Sequence, residues 1–250
     1  MEILAAISPA GKEVPVDFAI NPTLLNAYLR FKDADDDETF ESLINKINRV
    51  KGESNDSMLK GIAFEKLIND LIDGRKDGIE VSDDNQYFIV NWKGADEERL
   101  LFNAKLVNAI AELLKYNSCK QKYMEAIVTS HVGNIKLYGI VDYDFPEMVV
   151  DLKGTDKYKC GKYEENTQHP VYSLIRKLNE RPIKAFKYLV SDYTREYQET
   201  YIPTEQMHQK LMFTIYEFIA FINHFKKHIT NTKIFGGKNN ASNPPFSGVL

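Results

Sequence analysis

The chain has 250 residues, with 32 Lys and Arg against 36 Asp and Glu, a formal net charge of −4, and 43% apolar residues. It is long enough to bury a substantial core, and its composition is too ordinary for global disorder. The acidic balance excludes coating of nucleic acid by bulk positive charge, though not a local basic groove.

Cys119 and Cys160 form no CxxC pair, so neither a zinc site nor an iron–sulfur cluster is signalled. Few cysteines and no secretory signal together read as a reducing, cytoplasmic setting.

Asn21 and Pro22 open a helix, NPTLLNAYLRF, with a cap residue and a proline in the first turn. The acidic run 33–38 reads as a solvated turn, and a second helix follows to about Val50. Ser57 is placed to cap a third helix, MLKGIAFEKLINDLI. QYFIVNW (86–92) reads as a strand, and 95–116 as one long amphipathic helix.

Residues 123–132, 134–145 and 147–154 then read as three strands, with Gly133-Asn134 and Phe145-Pro146 as turn signals. Thr167 to Asn179 reads as a helix, 183–192 and 194–203 as two strands, and Pro203 as the start of a helix reaching about Ile229. The run 211–225 is apolar but shorter than the ~20 residues of a membrane span. It contains Glu217, Asn223 and His224, so it is a core helix rather than a membrane segment. The final stretch has linker composition.

The order implies one α/β domain with a mixed central sheet flanked by helices. It divides into an N-terminal helical segment (1–56), a core (57–202), a C-terminal helix (203–235) and a tail (236–250).

The stretch GIVDYDFPEMVVDLKG (139–154) places Asp142, Asp151 and Lys153 within what reads as a buried hairpin. Strand alternation puts Asp151 and Lys153 on one face, and pairing across Phe145-Pro146 brings Asp142 towards Asp151. Two carboxylates that close repel unless a cation lies between them, and an all-oxygen donor set suits Mg²⁺ or Mn²⁺. Ordinary charges at a sheet edge are the other reading of so short a pattern, and Asp144 is the alternative ligand if the register differs.

Three features add weight. Met58, Gly61, Ile62, Ile68 and Ile72 lie within ~60° of Glu65 on a helical wheel, which places Glu65 in an apolar face needing either a metal or a buried basic partner. Gly61, one turn earlier, would let that helix approach the sheet closely. Gln168 and Tyr172 are four apart, on one face of the following helix, and both side chains can bond phosphates or base edges. Lys153, Lys157, Lys159 and Lys162 are interleaved with Tyr158 and Tyr163, the composition of a loop that follows a phosphate backbone as well as of a solvated loop. His224 and His228, spaced four apart, lack an acidic third ligand nearby and read as a solvated helix end.

In order, Gly61/Glu65, GxxD (Gly139–Asp142), DxK (Asp151–Lys153) and QxxxY (Gln168–Tyr172) resemble the PD-(D/E)XK nuclease superfamily, in its RecB/Cas4/phage-exonuclease-like branch. The resemblance implies a restriction-endonuclease-like core and a metal-dependent DNA nuclease of the exonuclease type found in phage, recombination and repair systems. It implies that Glu65, Asp142, Asp151 and the backbone carbonyl of Leu152 hold one or two Mg²⁺ or Mn²⁺ ions. Lys153 would assist the attacking water, and Gln168, Tyr172, Lys157 and Lys159 would meet the DNA. The glutamate at 65, where many RecB-like members carry histidine, points to the phage-exonuclease-like variants, and no iron–sulfur cluster is expected. A homo-oligomer or a recombination or repair protein is compatible as partner, and no membrane is involved. The competing reading is a nuclease fold that binds nucleic acid or protein without cutting.

Overall fold

The computed structural model describes residues 14–237 apart from 34–37, 53–54, 76, 94–96 and 117. A central sheet is built from β1 (Phe18–Ile20), β5 (Cys119–Ser130), β6 (Gly133–Asp144), β7 (Met148–Gly154), β8 (Ala185–Ser191) and β9 (Glu196–Tyr201). Its order is β1-β6-β7-β8-β9, with β5 also pairing β6. β1 runs parallel to β6 and β7 parallel to β8, while the other pairings are antiparallel, so the sheet is mixed as the order of elements predicts. A second, antiparallel sheet holds β2 (Ile79–Val81), β3 (Tyr87–Lys93) and β4 (Glu97–Asn103).

Helices cover both faces of the central sheet. On one face lie α1 (Pro22–Lys32), α2 (Phe40–Ile47), α5 (Gln168–Leu178) and α6 (Glu205–His224), around a core that includes Leu25, Leu137, Val149, Ile175, Tyr188 and Phe218. On the other lie α3 (Asp56–Ile72), α4 (Ala104–Lys115) and the small sheet, around Phe64, Phe102, Ile110, Tyr143, Leu152 and Leu189. Phe186 and Leu189 of one strand fall in different cores, as the two-residue side-chain period requires.

Several predicted elements change. The single helix expected over 95–116 is β4 followed by α4. Tyr87–Lys93 pairs with Glu97–Asn103 throughout, so cross-strand pairing overrides a run whose periodicity suits a helix. Asn103 then caps α4, its Oδ1 accepting from the Leu106 N–H at 3.0 Å. Asn55, not Ser57, caps α3, through Met58 N–H at 2.8 Å; Ser57 instead donates to Asp156 at 2.7 Å. The second helix stops at Ile47. The C-terminal helix ends at His224, and two short 3-10 turns at Lys226–His228 and Thr232–Phe235 follow.

Most of the acidic turn lies outside the described residues, as does the tail beyond Gly237. Glu38 is described, and it is buried rather than solvated: it accepts from Ser42 Oγ at 2.9 Å and is held by Arg30 and Lys46. No helix among the described residues is long and apolar enough to cross a membrane.

Candidate functional site

The site follows from a fault in the sheet. β5 takes one edge of β6 along nearly its whole length. The other edge is shared: β1 pairs at Ile135–Leu137, and β7 pairs only at Tyr143 and Asp144. Between them, the β6 edge has no strand, and its polar backbone needs other partners. The Tyr172 hydroxyl donates to Ile140 O at 2.9 Å. Asp142 Oδ2 accepts the Leu152 N–H at 2.9 Å, so a carboxylate stands where the ladder would have continued. The N–H and C=O of one strand residue share an edge, so the Leu152 carbonyl is directed into the same gap.

The sequence-predicted residues gather there in unequal roles. Asp151 is buried; its Oδ1 accepts from Gln168 Nε2 at 2.8 Å, and its Oδ2 meets Lys153 Nζ at 2.6 Å without receiving an aligned hydrogen bond. Burial first, and the Asp151 charge after it, push the Asp142 carboxyl well above the usual carboxylate range. Glu65 adds to this rise, and Lys153 and the Leu152 N–H oppose it. Burial and then Asp151 likewise raise Glu65 against Lys153 and Gln121. Burial pulls the Lys153 ammonium down, but Asp151 and Asp142 together hold it above its ordinary value. Three carboxylates and one ammonium thus act on one another electrostatically across α3, β6 and β7.

Glu65 does not sit in the middle of the buried face of α3. That face is Ala63, Phe64, Leu67 and Ile68, whereas Met58 is 54% and Ile62 40% exposed. Glu65 stands half-buried at its border, and its partner is neither Arg nor Lys but Gln121, whose Nε2 donates to Oε1 at 2.7 Å. Gly61 faces Gly154 O at an ordinary 3.6 Å from a Cβ position. The glycine that close packing requires is Gly154, where a Cβ would stand 3.1 Å from Tyr193 Cε1.

Gln168 and Tyr172 are turned inward. Gln168 orients Asp151. Tyr172 is buried, its ring against Gly139, where a Cβ would come within 2.9 Å of Cε1. The glycine of GxxD and the tyrosine of QxxxY are therefore one packing pair. Lys157 and Lys159 are exposed on the 155–166 loop. Tyr158 and Glu199 anchor that loop through a 2.8 Å bond, and Tyr163 stacks on Tyr188 with centroids 4.7 Å apart.

Asp144, the alternative ligand, is committed elsewhere: Arg176 lies 2.5 Å away and Lys122 2.6 Å away, in a buried charge cluster. Burial pushes His169 down to about 4, and it stacks on Tyr201. Cys119 and Cys160 are exposed free thiols.

Gln121 is the residue that sequence reading passes over. It lies in β5 opposite Asp142, with φ of 48°, and the ladder skips this one pair between Lys120–Tyr143 and Lys122–Val141. A lone positive φ in a strand leaves no chemical motif; only the glutamine amide offers a hint, and it is a common side chain.

Among the described residues, no three Asp, Glu, His or Cys side chains already form a metal-holding group. The donor chemistry nonetheless fits a hard cation. One buried Asp151 oxygen lacks an aligned donor, a backbone carbonyl faces the gap, and burial with mutual repulsion disfavours ionisation of Asp142 and Glu65.

No family model matches the chain, and no curated protein matches its sequence. Its fold is similar to that of a solved structure from Eubacterium rectale described as a "putative exonuclease", with 13% identity and a TM-score of 0.51 over 85% of this chain and 83% of the other. A second solved structure, SSO0001, aligns over 84% of this chain and 79% of the other at 10% identity, with a TM-score of 0.44. The chain has a nuclease-like α/β fold, a mixed sheet between two helical layers.

Proposed function

We propose that the chain is a divalent-metal-dependent DNA nuclease of the PD-(D/E)XK type. The observation that carries this reading is the mutual placement of Asp142, Asp151, Lys153 and Glu65 where β6 and β7 part. Asp142, Asp151, Glu65 and the Leu152 carbonyl would hold Mg²⁺ or Mn²⁺, which when bound lowers the pKa of a water and balances charge on a phosphate. Lys153 keeps a proton-bearing ammonium beside the carboxylates, suited to stabilise negative charge developing on the phosphate or to orient its attacker. Gln168 fixes the rotamer of Asp151, and Tyr172 holds the β6 edge so that Asp142 can face Leu152. The Lys157 and Lys159 side chains are free to meet backbone phosphates from the loop beyond Lys153. The description of the Eubacterium rectale protein supports end-directed cleavage.

Purified protein with Mn²⁺ is expected to degrade linear DNA and spare closed circles. Asp151→Asn and Lys153→Ala are expected to lower the rate by about 10²–10³-fold, the scale of removing a preorganised transition-state group. Chelation with EDTA should stop cleavage. No cleavage by the wild type, or cleavage at the wild-type rate by both variants, sinks the reading.

A second reading, nucleic-acid binding without cutting, draws on the closed Lys153–Asp151 pair, which already neutralises one carboxylate. DNA binding with no product in the same assay selects it.

A further inference from the structure

Among the described residues, no element covers one face of the β5–β6 hairpin. Met124, Ala126 and Val128 of β5, with Ile135, Leu137 and Val141 of β6, pack into the first core. Tyr123, Glu125 and Ile127, with their cross-strand partners Ile140, Tyr138 and Lys136, therefore stand on the opposite face. The second core closes over Tyr143, Val150, Leu152 and Leu189 and does not reach them. Tyr123 is left 52% and Ile140 54% exposed.

A cleft of about 360 Å³ adjoins this face, lined by Arg49, Lys136, Lys233, Tyr123, Tyr138 and the Gly236–Gly237 backbone among others. That is the scale of one small ligand, not of a duplex. Arg49 projects from a left-handed residue (φ 59°) just beyond α2 and donates to Tyr138 Oη at 3.3 Å. Glu125 faces Lys136 at 2.5 Å, which leaves positive charge in excess around the cleft in a chain whose net charge is −4. At ~3.3 Å per residue, Tyr138 lies about 13 Å and Lys136 about 20 Å along β6 from Asp142. Ile140 lies between Tyr138 and Asp142, on the same face.

We propose that this cleft and the bare hairpin face form a track for a single nucleic-acid strand leading to Asp142, its phosphates against Arg49, Lys136 and Lys233 and its bases on Tyr123 and Ile140. The inference rests on the proposed function for its endpoint, but the track has its own chemistry: cations beside exposed ring and alkyl faces. Charge selects the occupant: with Lys136 already paired to Glu125, Arg49 and Lys233 remain as cations beside the exposed rings, and a strand of repeating phosphates can engage both.

The test is binding of a fluorescent oligothymidylate in EDTA, where no cleavage interferes, over a series of salt concentrations. Arg49→Ala/Lys233→Ala should weaken binding at least tenfold and flatten the slope of log K against log salt by about 1.4, two phosphate contacts at ~0.7 each. Tyr123→Ala should weaken binding at least about fivefold and leave the salt slope alone. Lys210→Ala, on α6 across the sheet, should change neither. Unchanged affinity and slope in the double variant overturn the track, and so does an equal loss in Lys210→Ala. Binding that responds as expected in a protein that cuts nothing supports the track and removes the hydrolytic reading; cleavage with a silent double variant does the reverse.

Discussion

Gln121 holds a left-handed backbone that costs a non-glycine residue about 1 kcal/mol or more, and it does so opposite Asp142. What that conformation gains is aim: the side chain leaves the strand and reaches Glu65 Oε1. Gln121→Gly removes the strain and the amide together. Its stability by urea titration should stay within about 1 kcal/mol of wild type, because the relieved strain offsets the extra freedom of the unfolded glycine. Metal-dependent cleavage should fall about tenfold, and Gln121→Asn should show the same fall, because its shorter amide does not reach Glu65 although asparagine tolerates the left-handed backbone. A Gln121→Gly protein with wild-type cleavage means that Glu65 needs no positioning. Asp142, Asp151 and Lys153 were legible in the sequence because each is an odd residue type for a strand. Gln121 was not, because its signal is a dihedral angle.

At the scale of elements, Tyr172 stands in for a strand, donating to the β6 edge where neither β1 nor β7 reaches. Gly139 makes room for its ring. Gly139→Ala forces the ring away and should destabilise by about 1–3 kcal/mol, the usual cost of overpacking. Tyr172→Phe gives up the bond to Ile140 but removes the atom that a new methyl meets first. The double variant should therefore lose less than the sum of the singles, measured as urea midpoints in a mutant cycle. Strict additivity argues against the contact.

The family resemblance assigns Tyr172 to DNA, whereas its spacing alone leaves the role open; a tyrosine on an inward helix face and one on a substrate-facing face share the same spacing. α3 shows a similar limit. Its apolar residues are read correctly from the sequence, but Met58 and Ile62 remain exposed because no element among the described residues covers that half of the helix. β4 was hidden because EERLLFN suits either period until β3 pairs with it.

For the whole molecule, acid should be a weakness set in part by one imidazole. His169 is buried within reach of the charges of Glu165, Glu199 and Lys210, and burial takes it down to about 4. A folded-state value below the unfolded ~6.5 means that the unfolded chain binds more protons in between, so stability is full above that range and drains away as pH falls through it. About 3 kcal/mol should be lost between pH 7 and 4 from this group. His169→Phe keeps a ring against Tyr201 and should flatten the pH dependence of the urea midpoint over that window. An unchanged slope would assign the acid sensitivity to other groups. The mixed sheet and its helical cover were legible from the order of elements, since a strand, a helix and a further strand force a parallel crossover between β7 and β8. The split between β6 and β7 was not, because it depends on which edges other strands have already taken.

That split also bears on the order in which the chain is made. Glu65, Gln121, Asp142 and Asp151 all precede α5, yet the groups that steady Asp151 and occupy the open β6 edge, Gln168 and Tyr172, lie on it. β8, which gives β7 its other neighbour, comes later still. A nascent chain paused before residue 168 carries every acidic group of the site but lacks the amide that steadies Asp151 and the hydroxyl that occupies the open β6 edge. Chains are built from the N-terminus and domains fold as units. Asp151 is thus steadied only once synthesis has moved well beyond it.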